Sequence, residues 1–462
     1  MDASYSFAKH IVKVNYNDIP GEAIEMAKRD ILDTLGVAIA GSNKPGGKEI
    51  MELVGEWGGK EESTVIMFGQ RVPSPYAALV NGTMAHALDY DDVIQGGAHV
   101  GISVIPAAFA IAERKGKVNG KDFLAAVILG FDIHCRLGQA RERRARATRS
   151  FGPSFLGTAL YGFFGATASA GKLLGLDEEQ MVNAFGIAYS QAAGNFQAPL
   201  DGALTKRIQP GFASKAGVLS ALMASKGLTG AKDSFEGKHG LFPLYHQGDY
   251  DPARLVADLG KHFSIANVGF KPYPCCGETH TSIDATLALV SEHNVAPEDV
   301  DEVSVHVGEL ARDLSEPLEV KQKPRVFVDA QFSIPWTVAT ALVKRKVKME
   351  DFTPEAITNP AILQVAQNVK PEIDPEVVGK IRNPSIVEIK MKGSDIVYSR
   401  RVDIAKGDPT KPMSWEELID KFKDCASCGR KPLSNQKIEG VIQAVSRLEQ
   451  VDDVGKVIQL LG

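Results

Sequence analysis

Cysteine is scarce in this chain, five residues among 462, too few for a disulfide scaffold, so a reducing cytoplasm is the expected setting. An excess of positive charge is missing as well. Lys and Arg number 52 against 57 Asp and Glu, a formal net charge of −5, and nucleic acid is not an expected partner. The opening segment, MDASYSFAKHIVKVNYND, lacks the apolar core and cleavage site of a signal peptide. No uncharged run suits lipid either: the longest, Ser150–Gly171, holds Pro153, five glycines and several hydroxyl residues. It reads as buried in protein, and no membrane partner is expected. Internal repeats and low-complexity segments are absent. What is there is a globular composition, 44% hydrophobic and 24% charged, at a length natural for two domains.

Helical periodicity dominates the first half. Ile24, Ala27, Ile31, Leu35 and Ala38 recur at helical spacing between Asp18, read as an N-cap, and Gly41, with Pro20 near the first turn. Alanine-rich segments of the same texture follow at Pro75–Leu88, Val104–Glu113, Lys121–Leu137, Gly157–Leu174, Glu178–Ala192 and Ser214–Lys226. Several carry internal glycines (Gly162, Gly165, Gly186), each costing about 1 kcal/mol of helix propensity relative to alanine. That cost is reasonable where helices approach too closely for a side chain. Past residue 265 the period changes to two. Val303, Val305 and Val307 alternate with polar residues, as do Val387, Ile389 and Met391, and Gly393-Ser394-Asp395 forms a turn before Ile396–Ile404, a hairpin pattern. Helical stretches at His280–Glu292 and Phe332–Val343 lie between. Ser414 with Glu417 then forms a capping box for a further helix. The expectation is a mainly α protein: an all-helical domain over 1–265, an inserted α+β lid over 266–405, and a helical return over 406–462.

Ionisable groups concentrate at a few places. His86-Ala-Leu-Asp89-Tyr-Asp91-Asp92 closes on His99 after Gln95-Gly96-Gly97-Ala98. Three carboxylates and two histidines so close together fit a metal site, a helix cap on Asp89 or Asp91, or a carboxylate orienting a histidine base. Lys206-Arg207 precedes a helix and reads either as solvated surface or as an anion site at a helix N-terminus. Arg141–Arg149, with five arginines and one glutamate, reads as a solvated face or as a loop attracting an anion. Lys271-Pro-Tyr-Pro-Cys-Cys-Gly-Glu-Thr-His280 opens the second domain, and Ala330–Trp336 (AQFSIPW) follows within it. Cys275-Cys276 with Cys425 and Cys428 could instead ligate zinc or an iron–sulfur cluster, a reading that a metal assay tests.

Taken in order, NGTMAHALDYDD, AHVGISVIPAAFAIAER, GATASAGKLLGLDEEQMVNAFGIAYSQAAG, LTKRIQPGFASKAGVLSALMASKGLTG, FKPYPCCGETHTSIDA and AQFSIPWTVATAL resemble the MmgE/PrpD family over essentially the whole chain. The resemblance implies helical proteins with an inserted α+β lid, usually homodimers, working without metal or organic cofactor on a small polycarboxylate. Known activities in that family are 2-methylcitrate dehydration, cis-aconitate decarboxylation and iminodisuccinate epimerisation. Carried over by position, its catalytic residues fall on Asp89, His99, Lys206 and His280. Arg207, Lys271 and Trp336 are the expected substrate-binding residues. Two positions depart from the decarboxylase-like pattern: Leu156 stands where a histidine is expected, and Trp336 where a tyrosine is expected. The expectation is therefore a 2-methylcitrate dehydratase-like hydro-lyase. An iminodisuccinate epimerase, a cis-aconitate decarboxylase and a degenerate carboxylate-binding paralogue without activity are the alternatives. In the mechanism so implied, His99 oriented by Asp89 moves a proton, Lys206 with Arg207 or Lys271 clamps a carboxylate, and His280 acts as partner acid.

Overall fold

A computed structural model describes residues 1–94, 98–141, 155–201, 203–377 and 384–462. The Gln95–Gly97 stretch and all but the first residue of the arginine-rich Arg141–Arg149 run lie outside the described residues. The fold is mainly α with a smaller α+β part. It divides into two compact units, Met1–Val268 with Ser414–Gly462, and Gly269–Met413.

The first unit is a bundle built on the helices Gly21–Gly41, Ser74–Ala85, Gly101–Lys115, Gly120–Gln139, Gly157–Leu174, Glu178–Tyr189 and Thr205–Ser225. Its helices cross on glycine. A Cβ on Gly162 would lie 2.8 Å from Ser103 Oγ, one on Gly165 2.8 Å from the Gly130 carbonyl, and one on Gly186 2.2 Å from the Ala231 nitrogen. The helix-propensity cost of these glycines thus permits contact between backbones. The uncharged Ser150–Gly171 run enters the Gly157–Leu174 helix, which is buried along nearly its whole length. Among the described residues no helix is long and apolar enough to cross a membrane. Asp18 does not cap the Gly21–Gly41 helix. Its carboxylate accepts from the Asn15 backbone N–H at 2.9 Å, closing a short turn ahead of Pro20. Ser414 and Glu417 do form the capping box of the Trp415–Ser427 helix, which packs on Gly21–Gly41.

The second unit holds a four-stranded sheet in the order Val369–Ile373, Val300–Val307, Ser385–Met391, Val397–Val402. The first pair is parallel and the other two are antiparallel. Val303, Val305, Val307, Val387 and Ile389 point to one face and form a core with Ile283, Leu289, Val338 and Leu342. These last four come from the helices His280–His293 and Ile334–Lys344.

Candidate active site

In the first unit the site grows from the end of the Ser74–Ala85 helix. The chain turns at Asp89, whose φ of 53° places a non-glycine residue in the left-handed region, a conformation that is uncommon and concentrates at functional sites. Two residues on, Asp91 is fully buried. Its Oδ2 lies 3.0 Å from His86 Nδ1 and 2.9 Å from His99 Nδ1. His99 Nδ1 also lies 2.5 Å from the Asp92 carbonyl oxygen. Two acceptors at one ring nitrogen require the proton there, so the neutral His99 ring keeps its lone pair on Nε2. The backbone around it is pinned: His99 N–H donates to Thr158 Oγ1 at 3.0 Å, and Asp92 accepts from Val100 and Gly101 at 2.9 and 3.2 Å. Burial alone would raise the Asp91 carboxyl, but the charges and hydrogen bonds of His99 and His86 hold it well below the usual carboxylate range. Burial, reinforced by Lys206, lowers His86 to about 4 against the pull of Asp91, so that ring is neutral near pH 7.

The Thr205–Ser225 helix supplies the positive charge. It crosses Ser74–Ala85 where Gly82 meets Gly211; a Cβ on Gly211 would lie 2.4 Å from both the Leu79 carbonyl and Thr83 Oγ1. Lys206 sits one turn before that crossing, and its Nζ donates to Asp89 Oδ1 at 2.8 Å. Arg207 is buried beside it; burial draws its guanidinium pKa down while Asp89 resists. Both cations lie inside the first turn of the helix, whose N-cap, Leu204, offers no side-chain bond to the free N–H groups. Two cations and an uncapped helix N-terminus together give this end the positive field that attracts a carboxylate.

The geometry redistributes the expected roles. Asp91 with the Asp92 carbonyl orients His99, while Asp89 pairs with Lys206. Neither Asp89 nor Asp91 serves as a simple helix cap. The resemblance assigns the orienting role to Asp89, and spacing in the sequence carries no signal that picks out Asp91. His86, Asp91 and His99 each offer a ligand atom, and these atoms lie within 4.8 Å of one another, so the cluster also has the donor types of a metal site. Two ring N–H groups donating to one buried carboxylate account for the cluster.

In the second unit His280 opens its helix, buried, with Nε2 donating to the Cys275 carbonyl at 3.2 Å and its ring edge-on to Tyr273. Lys271 is buried in the same segment. Trp336 is fully buried in the core of this unit, and its Nε1 has no hydrogen-bond partner among the described residues. Leu156 caps the Gly157–Leu174 helix, its backbone N–H donating to the Gly194 carbonyl at 2.9 Å, and offers no polar group. Cys275 is buried in the second unit's core, Cys425 sits buried against Gly36 in the first, and Cys276 and Cys428 are partly exposed.

Comparison with known proteins adds to this geometry. Residues 5–253 match the MmgE/PrpD N-terminal domain and residues 273–447 the MmgE/PrpD C-terminal domain. The chain is similar to the cis-aconitate decarboxylase of Homo sapiens, 29% identical over 99% of this chain and 94% of the relative. It is also similar to the cis-aconitate decarboxylase-like protein oryM of Aspergillus oryzae, at 27% over 98% and 95%. The cis-aconitate decarboxylase of Aspergillus terreus is 26% identical over 96% and 93%.

Proposed function

The chain belongs to the MmgE/PrpD family through both of its units, and on that premise we propose that it is a lyase moving a proton at a carbon next to a carboxylate of a small di- or tricarboxylate. The observation that carries this reading is the fixed tautomer of His99. Asp91 and the Asp92 carbonyl hold the proton on Nδ1, leaving Nε2 as the base. Lys206 and Arg207 supply the second requirement, positive charge where negative charge develops on the substrate carboxylate.

The main reading is a 2-methylcitrate dehydratase-like hydro-lyase. His99 Nε2 takes the proton from the carbon, the electron pair forms the double bond, and the β-hydroxyl departs as water with a proton from a second acid. His280 is assigned that role, and Lys271 is assigned to substrate binding. Asp91 stabilises the imidazolium formed at His99, and proton exchange with solvent resets both histidines. Leu156 and Trp336 weigh against decarboxylation, because they remove two polar groups of the decarboxylase-like pattern.

A second reading is favoured by the named relatives. In cis-aconitate decarboxylation CO2 leaves, the electron pair stays on carbon, and a protonated His99 returns a proton to it. The homodimer, the cytoplasmic setting and the cofactor-free mechanism belong to the same proposal; light scattering and metal analysis of the purified protein test the first and last of these. The reaction is tested by incubating the protein with 2-methylcitrate, citrate, cis-aconitate and iminodisuccinate and following products by NMR together with CO2 release. Loss of water from 2-methylcitrate is expected. CO2 from cis-aconitate would replace the main reading by the second, and no turnover of any of the four would overturn both.

A further inference from the structure

Beneath the His99 segment lies a buried acid that the proposed mechanism does not use. Asp30, on the Gly21–Gly41 helix, is fully buried, and neither of its oxygens accepts a hydrogen bond from any donor among the described residues. Both press against the Cα of Gly101: a Cβ there would lie 2.8 and 2.9 Å from them, and 2.7 Å from Thr34 Oγ1. Asp92 reaches the same residue from the other side, accepting the Gly101 N–H at 3.2 Å and the Val100 N–H at 2.9 Å. Two buried carboxyl groups therefore converge on the residue that closes the His99 segment. One of them receives no N–H at all.

We propose that Asp30 is a positioning residue for His99: as a neutral carboxylic acid it donates its proton to the Asp92 carboxylate, and the pair, sharing one proton, clamps Asp92 to the Val100–Gly101 backbone that follows His99. An ionised carboxylate sealed away from water without a donor is too costly to keep, and such a group takes up a proton instead. Burial first, and Asp92 next, raise Asp30 well above the carboxylate range. Burial and then Asp91 raise Asp92 to about 7, opposed by His99 and the two backbone N–H groups.

The surrounding charges leave this proton on the pair. Asp33, on the same helix as Asp30, is tied to Lys421 of the Trp415–Ser427 helix at 2.6 Å, and Lys421 also donates to the Tyr90 carbonyl at 2.7 Å. Asp91 and His99 face Asp92 from its own segment. From the Gly120–Gln139 helix, Cys135 is the ionisable group that feels both acids, and burial keeps it a neutral thiol. Removing the shared proton adds a second negative charge beside Asp91, and the pair titrates as a unit.

The inference refines the role assigned above to His99, and its test reads His99 directly, without substrate. In the full-length protein labelled at histidine, the His99 ring, assigned by its loss in His99→Ala, is followed by NMR across pH. The wild type is expected to show, beside the ring's own titration, a second inflection from the acid pair. Asp30→Asn and Asp92→Asn are expected to abolish it. In turnover, Asp30→Asn, whose amide donates permanently, is expected to stay within about threefold of the wild type, and Asp30→Ala to fall by about tenfold or more. Retention of the second inflection in Asp30→Asn, or equal loss of turnover in the Asn and Ala variants, would overturn the proposal. Absence of turnover in the wild type would refute the lyase reading and leave the NMR result standing.

Discussion

Asp91→Asn perturbs the proposed chemistry at one atom. The substitution keeps the shape of the side chain and removes its charge, leaving one amide oxygen for two Nδ1–H groups that now donate at 3.0 and 2.9 Å. A hydrogen bond to a charged group contributes about 1.5–3 kcal/mol, and each 1.36 kcal/mol is about tenfold in rate. Losing the His99 share alone therefore lowers kcat about 10- to 150-fold. The amide N–H2 also permits the other tautomer of His99, which moves the base to the wrong nitrogen and adds to the loss. KM changes little, because carboxylate binding rests on Lys206 and Arg207. Steady-state kinetics on the dehydrated or decarboxylated substrate, with a thermal melt to confirm folding, measures both parameters. A folded Asp91→Asn enzyme with kcat within about twofold of the wild type would refute the reasoning, because it would show that the tautomer needs no carboxylate.

Three further outcomes are expected. Lys206→Met should lower kcat/KM by a factor on the order of 10² or more by removing charge from the carboxylate end, while Lys215→Met, farther along the same helix, should not; equal effects would show that the loss is not local. Gly211→Ala should cost about 1–3 kcal/mol or more through the 2.4 Å approaches its Cβ would make to the Leu79 carbonyl and Thr83 Oγ1, seen as a lowered Tm, and an unchanged Tm would contradict the close crossing. The buried histidines should contribute a fall in stability as pH drops below 6.5, because burial lowers His10, His86 and His246 to about 4 and His134 to about 3. The unfolded chain takes up protons that these rings refuse, at about 1.4 kcal/mol per pH unit for each ring. Asp30 and Asp92 act with the opposite sign, their share being lost as pH rises from the ordinary carboxylate value. His134→Leu should therefore give a shallower acid slope in urea titrations between pH 6.5 and 4.5; an unchanged slope would contradict the assignment.

Much of the fold was legible because burial follows period. Val303, Val305 and Val307, and the hairpin around Gly393-Ser394-Asp395, appear where alternation requires them. The Val369–Ile373 strand was not legible, since five residues interrupted by Pro371 carry no clear period. The Thr205–Ser225 helix was read as starting at Ser214 because Pro210 and Gly211 interrupt its pattern. That error hid the placement of Lys206 and Arg207 inside the first turn. In the site, residue types left several readings open, and the resemblance singled out His99 and Lys206. Which of Asp89, Asp91 and Asp92 orients the histidine depends on the left-handed turn at Asp89, a backbone property that leaves no trace in spacing. Trp336 is placed at a binding position by resemblance, and its full burial in the core is not legible from its position in the sequence.

The central claim is that His99 moves a proton at a carbon next to a carboxylate. The most direct measurement is turnover of the accepted polycarboxylate in D2O, with deuterium located by NMR, for the wild type and for His99→Ala. Deuterium entering at that carbon with the wild type, in recovered substrate if water is lost and in product if CO2 is lost, and slowed by about 10² or more in a folded His99→Ala protein, is the predicted result. Exchange at wild-type rate in His99→Ala would contradict the account.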